Sequence, residues 1–368
     1  MRTWPSASRP CISAGSSGRS ENSTASFMRH DTQMTAYPPP PSPSDDAIRT
    51  LPYHFGWPLL VGLVTGLAFR LVFNAKPGEP YATMMISFLF LAPLAIGVVT
   101  VYIAERRGRQ TFAYYAAVPA LANVLFVIGT LLINLEGIIC AILIVPLFAI
   151  IGAIGGVLMG VIVRWTNWPK QATYSFLLLP LVLGAFEQRL PLPRHVADVS
   201  RTGYVAASPE EVWRQIQEAE RIAPAEVDSA WMVRIGVPTP RAGVTRQSAD
   251  GRVRTITMGR GVHFDQRITD WQPGRYMRAV YDFAPDSFPP RALDDHVRIG
   301  GHYFDIVDTD YTLVPHGRGT QLTIRLRYRV STQFNWYADP IAQWLVGDLE
   351  DTLLHFYKQR SEHRFRPA

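Results

Sequence analysis

Two fold classes follow one another in this chain. An α-helical bundle of membrane-crossing segments precedes an α+β domain built on an antiparallel sheet and closed by one long helix. Three observations predict this. Charged residues are only 18% of the 368-residue chain, against about 25% in typical soluble domains, and the deficit is local: positions 57–186 hold ten charges in 130 residues. Beyond Glu187 apolar and polar residues alternate over short stretches, as in half-buried strands. Residues 340–363 then carry apolar side chains at helical spacing. A single soluble globule and a wholly disordered chain are both excluded.

Residues 1–50 are expected to form a disordered tail. They are rich in Ser, Pro, Thr and Arg, include Pro38-Pro39-Pro40-Pro41, and hold too little apolar surface to offset the entropy of ordering. They also lack the apolar core of a signal peptide.

Residues 51–187 read as the bundle. A bilayer core requires about 20 apolar residues in helix, and 53–73, 82–104, 112–133 and 138–163 meet that length. The segment 172–186 is shorter and contains Pro180; it reads as a tilted span, a re-entrant piece or an interfacial helix. Loop charges set orientation. Arg106, Arg107 and Arg109, then Arg164 and Lys170, belong on the cytoplasmic side, which makes 134–137 an outer turn. Four spans put the C-terminal domain in the cytoplasm and five put it outside. The expectation is four spans and a cytoplasmic domain, in an integral protein of a bacterial cytoplasmic membrane.

Within the bundle, Gly152, Gly156 and Gly160 share one helix face and Gly62 and Gly66 another. Such faces allow close helix approach, either inside the bundle or between two copies in a homo-oligomer. Arg70 sits near the end of its span, where it is expected to snorkel to the interface. Glu136 precedes a helix N-terminus, where a carboxylate is favoured. The two cysteines, Cys11 and Cys140, fit no disulfide or metal spacing.

The net charge of +6 does not signal nucleic acid. Residues 188–368 hold 24 basic and 22 acidic side chains, with no basic stripe. Only three of the 36 basic residues are Lys, the usage of a GC-rich genome.

In 196–366, residues 200–206 read as a strand. Ser208-Pro209-Glu210-Glu211 then supplies an N-cap, a first-turn proline and a capping-box acid for a short helix. Strands are expected at 231–237, 252–258, 262–271, 276–283, 303–314 and 320–330, with a long loop at 284–301. In the last strand Leu322, Ile324, Leu326 and Tyr328 face one way and Arg325, Arg327 and Arg329 the other. That arginine row invites anionic lipid, or is balanced by nearby Asp as a solvated face. Asp339 and Pro340 are expected to open the terminal helix, whose stripe is Ile341, Leu345, Leu349, Leu353 and Phe356.

The stretches VAASPEEVWRQI (205–216) and YADPIAQWLVGDLEDTLLHFYKQRSE (337–362) resemble the two ends of START-like domains, the SRPBCC or polyketide-cyclase and lipid-transport superfamily. The resemblance covers under half the chain. It implies a helix-grip fold, in which a curved sheet wraps the terminal helix around a cavity for an apolar molecule. The implied partner is a lipid or other hydrophobic small molecule drawn from the bilayer. The expected cavity residues are Phe264, Ile268, Tyr281, Leu326, Tyr328, Leu345, Leu349 and Leu353, with 284–301, including Phe288, as a lid. A cyclase or dehydratase acting on an apolar metabolite and a membrane assembly module are the alternatives, because fold does not transfer function.

No phosphate loop, nucleophile elbow or paired Cys motif is present. No catalytic residue, metal ligand or cofactor is assigned. Tyr276, Tyr281, Tyr303, Tyr311, Tyr328 and His263 are the only acid-base candidates. His296 and His302, with Asp294 or Asp305, read as a solvated loop rather than a metal site.

Overall fold

The computed structural model describes residues 45–166, 170–187, 189–249, 251–294 and 296–362. The tail expected at 1–50 falls largely outside these residues, while 45–50 belong to helix α1 (Asp45–Val72). There follow α2 (Ile86–Leu89), α3 (Leu91–Glu105), α4 (Phe112–Leu132), α5 (Ile138–Trp165) and α6 (Lys170–Glu187). Three stretches, Ile86–Glu105, Phe112–Leu132 and Ile138–Trp165, are long and apolar enough to cross a membrane; Gly56–Val72 is apolar but shorter. The bundle turns bulky apolar side chains outward, among them Leu60, Val64, Ile150, Ile154 and Leu158. Water would not wet so continuous an apolar surface without cost.

Glycine sets the helix spacing. A Cβ on Gly156 would stand 2.2 Å from the Tyr115 carbonyl oxygen, and one on Gly160 would meet the Tyr115 ring at 2.4 Å. Gly152 abuts Asn123, and Gly62 and Gly66 abut Thr100, Ile96 and Phe126. These faces are filled inside the bundle, which leaves no room there for a second copy. Long-range capping also contributes. The Glu187 carboxylate accepts hydrogen bonds from the N–H groups of Ile86 (2.5 Å) and Ser87 (2.8 Å) at the start of α2.

The two ends of the bundle differ. At one, Arg164 lies 4.1 Å from the Phe112 ring centroid and Arg107 lies 5.6 Å from that of Trp57. At the other, Arg70 is buried rather than snorkelling. Its Nε donates to Glu136 Oε1 at 2.7 Å. The C-terminal domain docks on this second end. The Gly137 N–H donates to Asp294 (3.2 Å) and the Tyr337 hydroxyl to the Leu143 carbonyl (2.5 Å), while Phe334 joins the bundle core. The domain is therefore at the end away from Arg106, Arg107 and Arg109, whereas the expected cytoplasmic placement needs it at the arginine end.

The domain is one antiparallel sheet with order β1-β8-β7-β6-β5-β4-β3-β2. Its strands are β1 (His195–Val205), β2 (Glu218–Ala219), β3 (Pro240–Ser248), β4 (Gly251–Met258), β5 (His263–Gln272), β6 (Tyr276–Asp282), β7 (Phe304–His316) and β8 (Gly319–Val330). Helix α7 (Pro209–Gln217) begins as the sequence predicts, with the Glu211 N–H donating to Ser208 Oγ at 3.4 Å. In β8, Leu322, Ile324, Leu326 and Tyr328 are buried. The outward arginines meet acids on neighbouring strands: Arg325 with Asp198 at 3.0 Å, Arg327 with Asp308, and Arg329 with Asp305 at 4.0 Å. The row is a neutralised strand face.

Several elements differ from the sequence-based expectation, which has no strand at β2 (Glu218–Ala219) or β3 (Pro240–Ser248). Residues 231–237 contain helix α8 (Trp231–Arg234) instead of a strand. Asp348 accepts the Trp231 N–H at 2.6 Å and so caps that turn from a distant helix. The terminal helix, α9 (Asn335–Ser361), starts before Pro340. Asp339 accepts from the Tyr328 hydroxyl at 3.0 Å rather than capping a helix.

Candidate functional site: an apolar cavity with one buried arginine

The apolar stripe of α9 does not pack directly onto the sheet along its whole length. Between them is a cavity of about 280 Å³. Ile341, Leu345, Leu349, Leu353 and Phe356 line it from the helix, and Ile256, Met258, Phe264 and Leu326 line it from the sheet. The bundle supplies a further part of the wall: Ile139, Cys140, Leu143, Ile144 and Leu147 of α5, with Leu89 of α2. The cavity thus opens between the sheet domain and the helices that form the apolar bundle. Its lining is overwhelmingly apolar, the usual form of a small-molecule site.

Of the eight residues expected in the cavity, Phe264, Tyr281, Leu326, Leu345, Leu349 and Leu353 line it. Ile268 and Tyr328 share their strand faces but belong to the packed core beyond the cavity, where the Tyr328 hydroxyl is taken by Asp339. The loop 284–301 contributes Leu293, His296, Val297 and Ile299 to the wall. Phe288 instead packs on Phe283, with ring centroids 5.6 Å apart. Tyr303 and Tyr311 line the cavity as well; Tyr276 and His263 are outside it.

The residue that sequence reasoning missed is Arg254. It lies on β4, is 4% exposed, and reaches into the cavity wall. Its Nη1 donates to Gln266 Oε1 (3.2 Å) and the Tyr311 hydroxyl (3.4 Å), and its Nη2 to the Tyr357 hydroxyl (3.0 Å). Gln266 is its cross-strand partner on β5. Gly243 on β3 makes room, since a Cβ there would be 2.8 Å from Nη2. Among the described residues no carboxylate pairs with this guanidinium, and its Nε has no hydrogen-bond partner. Arginine cannot shed its charge in a protein. A buried charge without a counter-ion is strongly unfavourable. The signal was in the pattern: Arg254 shares strand parity with the cavity-lining Ile256 and Met258.

The hydroxyls around it are weak acids. Burial pushes the Tyr281 phenol up and the Tyr311 phenol well above the usual range. Tyr281 also exchanges a hydrogen bond with Thr309 at 2.7 Å. At this end of the cavity the polar groups are therefore neutral donors and acceptors set around one fixed cation.

Residues 196–360 match a family model described as polyketide cyclase / dehydrase and lipid transport. Together with the strand order and terminal helix, the match makes this segment, a little under half of the chain, a START-like domain. Solved structures also resemble part of this chain. A START superfamily protein from Mycobacterium smegmatis is 17% identical, with a TM-score of 0.29, covering 46% of this chain and 99% of that one. The Zhui aromatase/cyclase from Streptomyces sp. R1128 is 14% identical, with a TM-score of 0.30, covering 47% and 97%. No curated protein matches the sequence.

Proposed function

We propose that this chain is an integral membrane protein that binds an apolar molecule bearing a single acidic group, of the fatty-acid class. The acid would sit against Arg254 and the apolar tail would run along the α9 stripe toward α5. The observation that carries this reading is the buried guanidinium without a counter-ion in an otherwise apolar cavity. A carboxylate would supply the missing charge and accept from the free Nε, and charge-assisted bonds of this kind are the strong ones. The wall contributed by α5 supports the bilayer as the source of the ligand. The neutral, burial-raised phenols favour binding over proton transfer, which works best with groups that titrate near the operating pH.

The same reading reverses the orientation. The rule that arginine-rich loops stay in the cytoplasm and the docking of the domain at the opposite end of the bundle together favour a domain outside the cytoplasm.

The test uses the full chain purified in detergent. Native mass spectrometry should find a co-purified apolar acid, and titration with a fluorescent fatty carboxylate should saturate at one site per chain. A chain that binds neither the carboxylate nor its matched alcohol would sink the proposal.

A further inference from the structure

Where the sheet domain meets the bundle, four side chains of different chemistry converge. Glu136 comes from the α4–α5 turn, Cys140 from the first turn of α5, and Asp294 and His296 from the loop between β6 and β7. Their donor atoms all lie within 4.8 Å of one another. His296 Nδ1 is 2.9 Å from Asp294 Oδ1, 3.8 Å from Cys140 Sγ and 4.0 Å from Glu136 Oε2. Side-chain exposure is 7% for Glu136, 8% for Asp294 and 14% for His296, and Cys140 is buried.

A second observation points to a ligand. Arg70 holds Oε1 of Glu136 at 2.7 Å, while Oε2, on a side chain more than nine-tenths buried and 4.0 Å from His296 Nδ1, accepts no hydrogen bond among the described residues. Arg70 is itself fixed by the carbonyls of Phe73 (2.9 Å) and Leu135 (2.7 Å) and by Asn74 Oδ1 (2.8 Å). An outer partner that fixes one carboxylate oxygen and aims the other is the usual support of a metal ligand.

We propose that Glu136, Cys140, Asp294 and His296 form a binding site for a single zinc-like divalent transition-metal ion. Zinc takes N or O donors at about 2.0 Å and thiolate at about 2.3 Å in a tetrahedron, which spaces the donor atoms by about 3.3–3.8 Å. The separations here bracket that range, so small side-chain shifts complete the geometry. A set of one S, one N and two O donors suits zinc or cobalt, not magnesium or calcium, which require oxygen shells. Binding releases the thiol proton of Cys140. Two carboxylates and a thiolate then balance the ion and Arg70, with His296 neutral. Four protein ligands make a closed, structural site. It clips the 284–301 loop to the bundle, and because Cys140 and His296 also line the cavity, it fixes the wall at the membrane end.

The test takes the full chain in detergent, stripped with a chelator and reloaded with zinc or cobalt. Elemental analysis should return one zinc per chain, and cobalt should give a thiolate charge-transfer band. Cys140→Ser should abolish that band. Cys140→Ser and His296→Gln should each weaken zinc by more than the roughly tenfold to hundredfold that loss of an outer partner costs, while His302→Ala, on the exposed neighbouring histidine, should change nothing. The proposal is overturned by less than half an equivalent of zinc on the reloaded wild-type chain, by cobalt binding without a thiolate band, or by variants that bind as wild type. The cobalt spectrum of the wild-type chain decides the matter even where a variant fails to fold.

Discussion

Replacing Arg254 with Met separates the charge of the cavity from its shape. Methionine is unbranched and fills the slot between Gly243 and Tyr357 with little disturbance of packing. What is lost is the cation. A hydrogen bond to a charged group contributes about 1.5–3 kcal/mol, and Arg254 offers a bound acid its free Nε together with the Nη1 now held at 3.2 and 3.4 Å by Gln266 and Tyr311. A loss of about 3 kcal/mol weakens a carboxylate ligand about a hundredfold. The matched alcohol, which gains little from a cation, should change by less than about threefold on the same scale. The ligand-free variant should be about as stable as wild type, because removal of a buried, uncompensated charge offsets the loss of its hydrogen bonds to Gln266, Tyr311 and Tyr357. Fluorescence titration with the paired acid and alcohol measures the first effect and thermal unfolding the second. Equal weakening of acid and alcohol, or unchanged acid affinity, would refute the assignment of Arg254 to the ligand's head.

Four other outcomes follow from the same structure. Glu350 is fully buried, the Leu326 N–H is its one hydrogen-bond donor among the described residues at 2.8 Å, and burial pushes its carboxyl up to about 7. The folded chain then binds the extra proton, so stability should fall as pH rises from about 4.5 to about 7, by at most about 3 kcal/mol. Glu350→Gln should flatten that part of the profile of thermal midpoint against pH. Arg70→Met leaves Glu136 charged and buried and should cost about 3–5 kcal/mol, most of it recovered when Glu136→Gln is added; thermal unfolding of the single and double variants checks this. Ala342 also lines the cavity from α9, so Ala342→Trp places a large ring there and should remove ligand binding with the fold retained, read by titration beside circular dichroism. A reporter at the C-terminus that is active only outside the cytoplasm should be active, and a silent one, with a cytoplasmic reporter active instead, contradicts the proposed orientation.

Local chemistry made much of this architecture legible. The apolar lengths of α3, α4 and α5 needed only hydropathy. Ser208-Pro209 marked the start of α7 because a cap and a first-turn proline act within one turn. Alternation along β8 separated the buried Leu322, Ile324, Leu326 and Tyr328 from the arginine face, since side-chain direction in a strand has period two. The stripe from Ile341 to Phe356 likewise announced the face of α9 that lines the cavity.

Parity tells which face a residue occupies but not how far along it the cavity extends. Ile268 and Tyr328 therefore fall in packed core while Phe264 and Leu326 meet open space. Helix α8 was illegible because its cap, Asp348, lies 117 residues away. The cluster at the bundle end was hidden for the same reason: Cys140 and His296 are 156 positions apart and meet only when the domain docks on the turn that carries Glu136. Sequence by itself determined most of the longer helices and strands and the faces they bury, since those follow from interactions over a few residues. Tertiary structure alone decided which end of the bundle carries the domain and which charges lose their water, because both depend on contacts between segments that are separate in the chain.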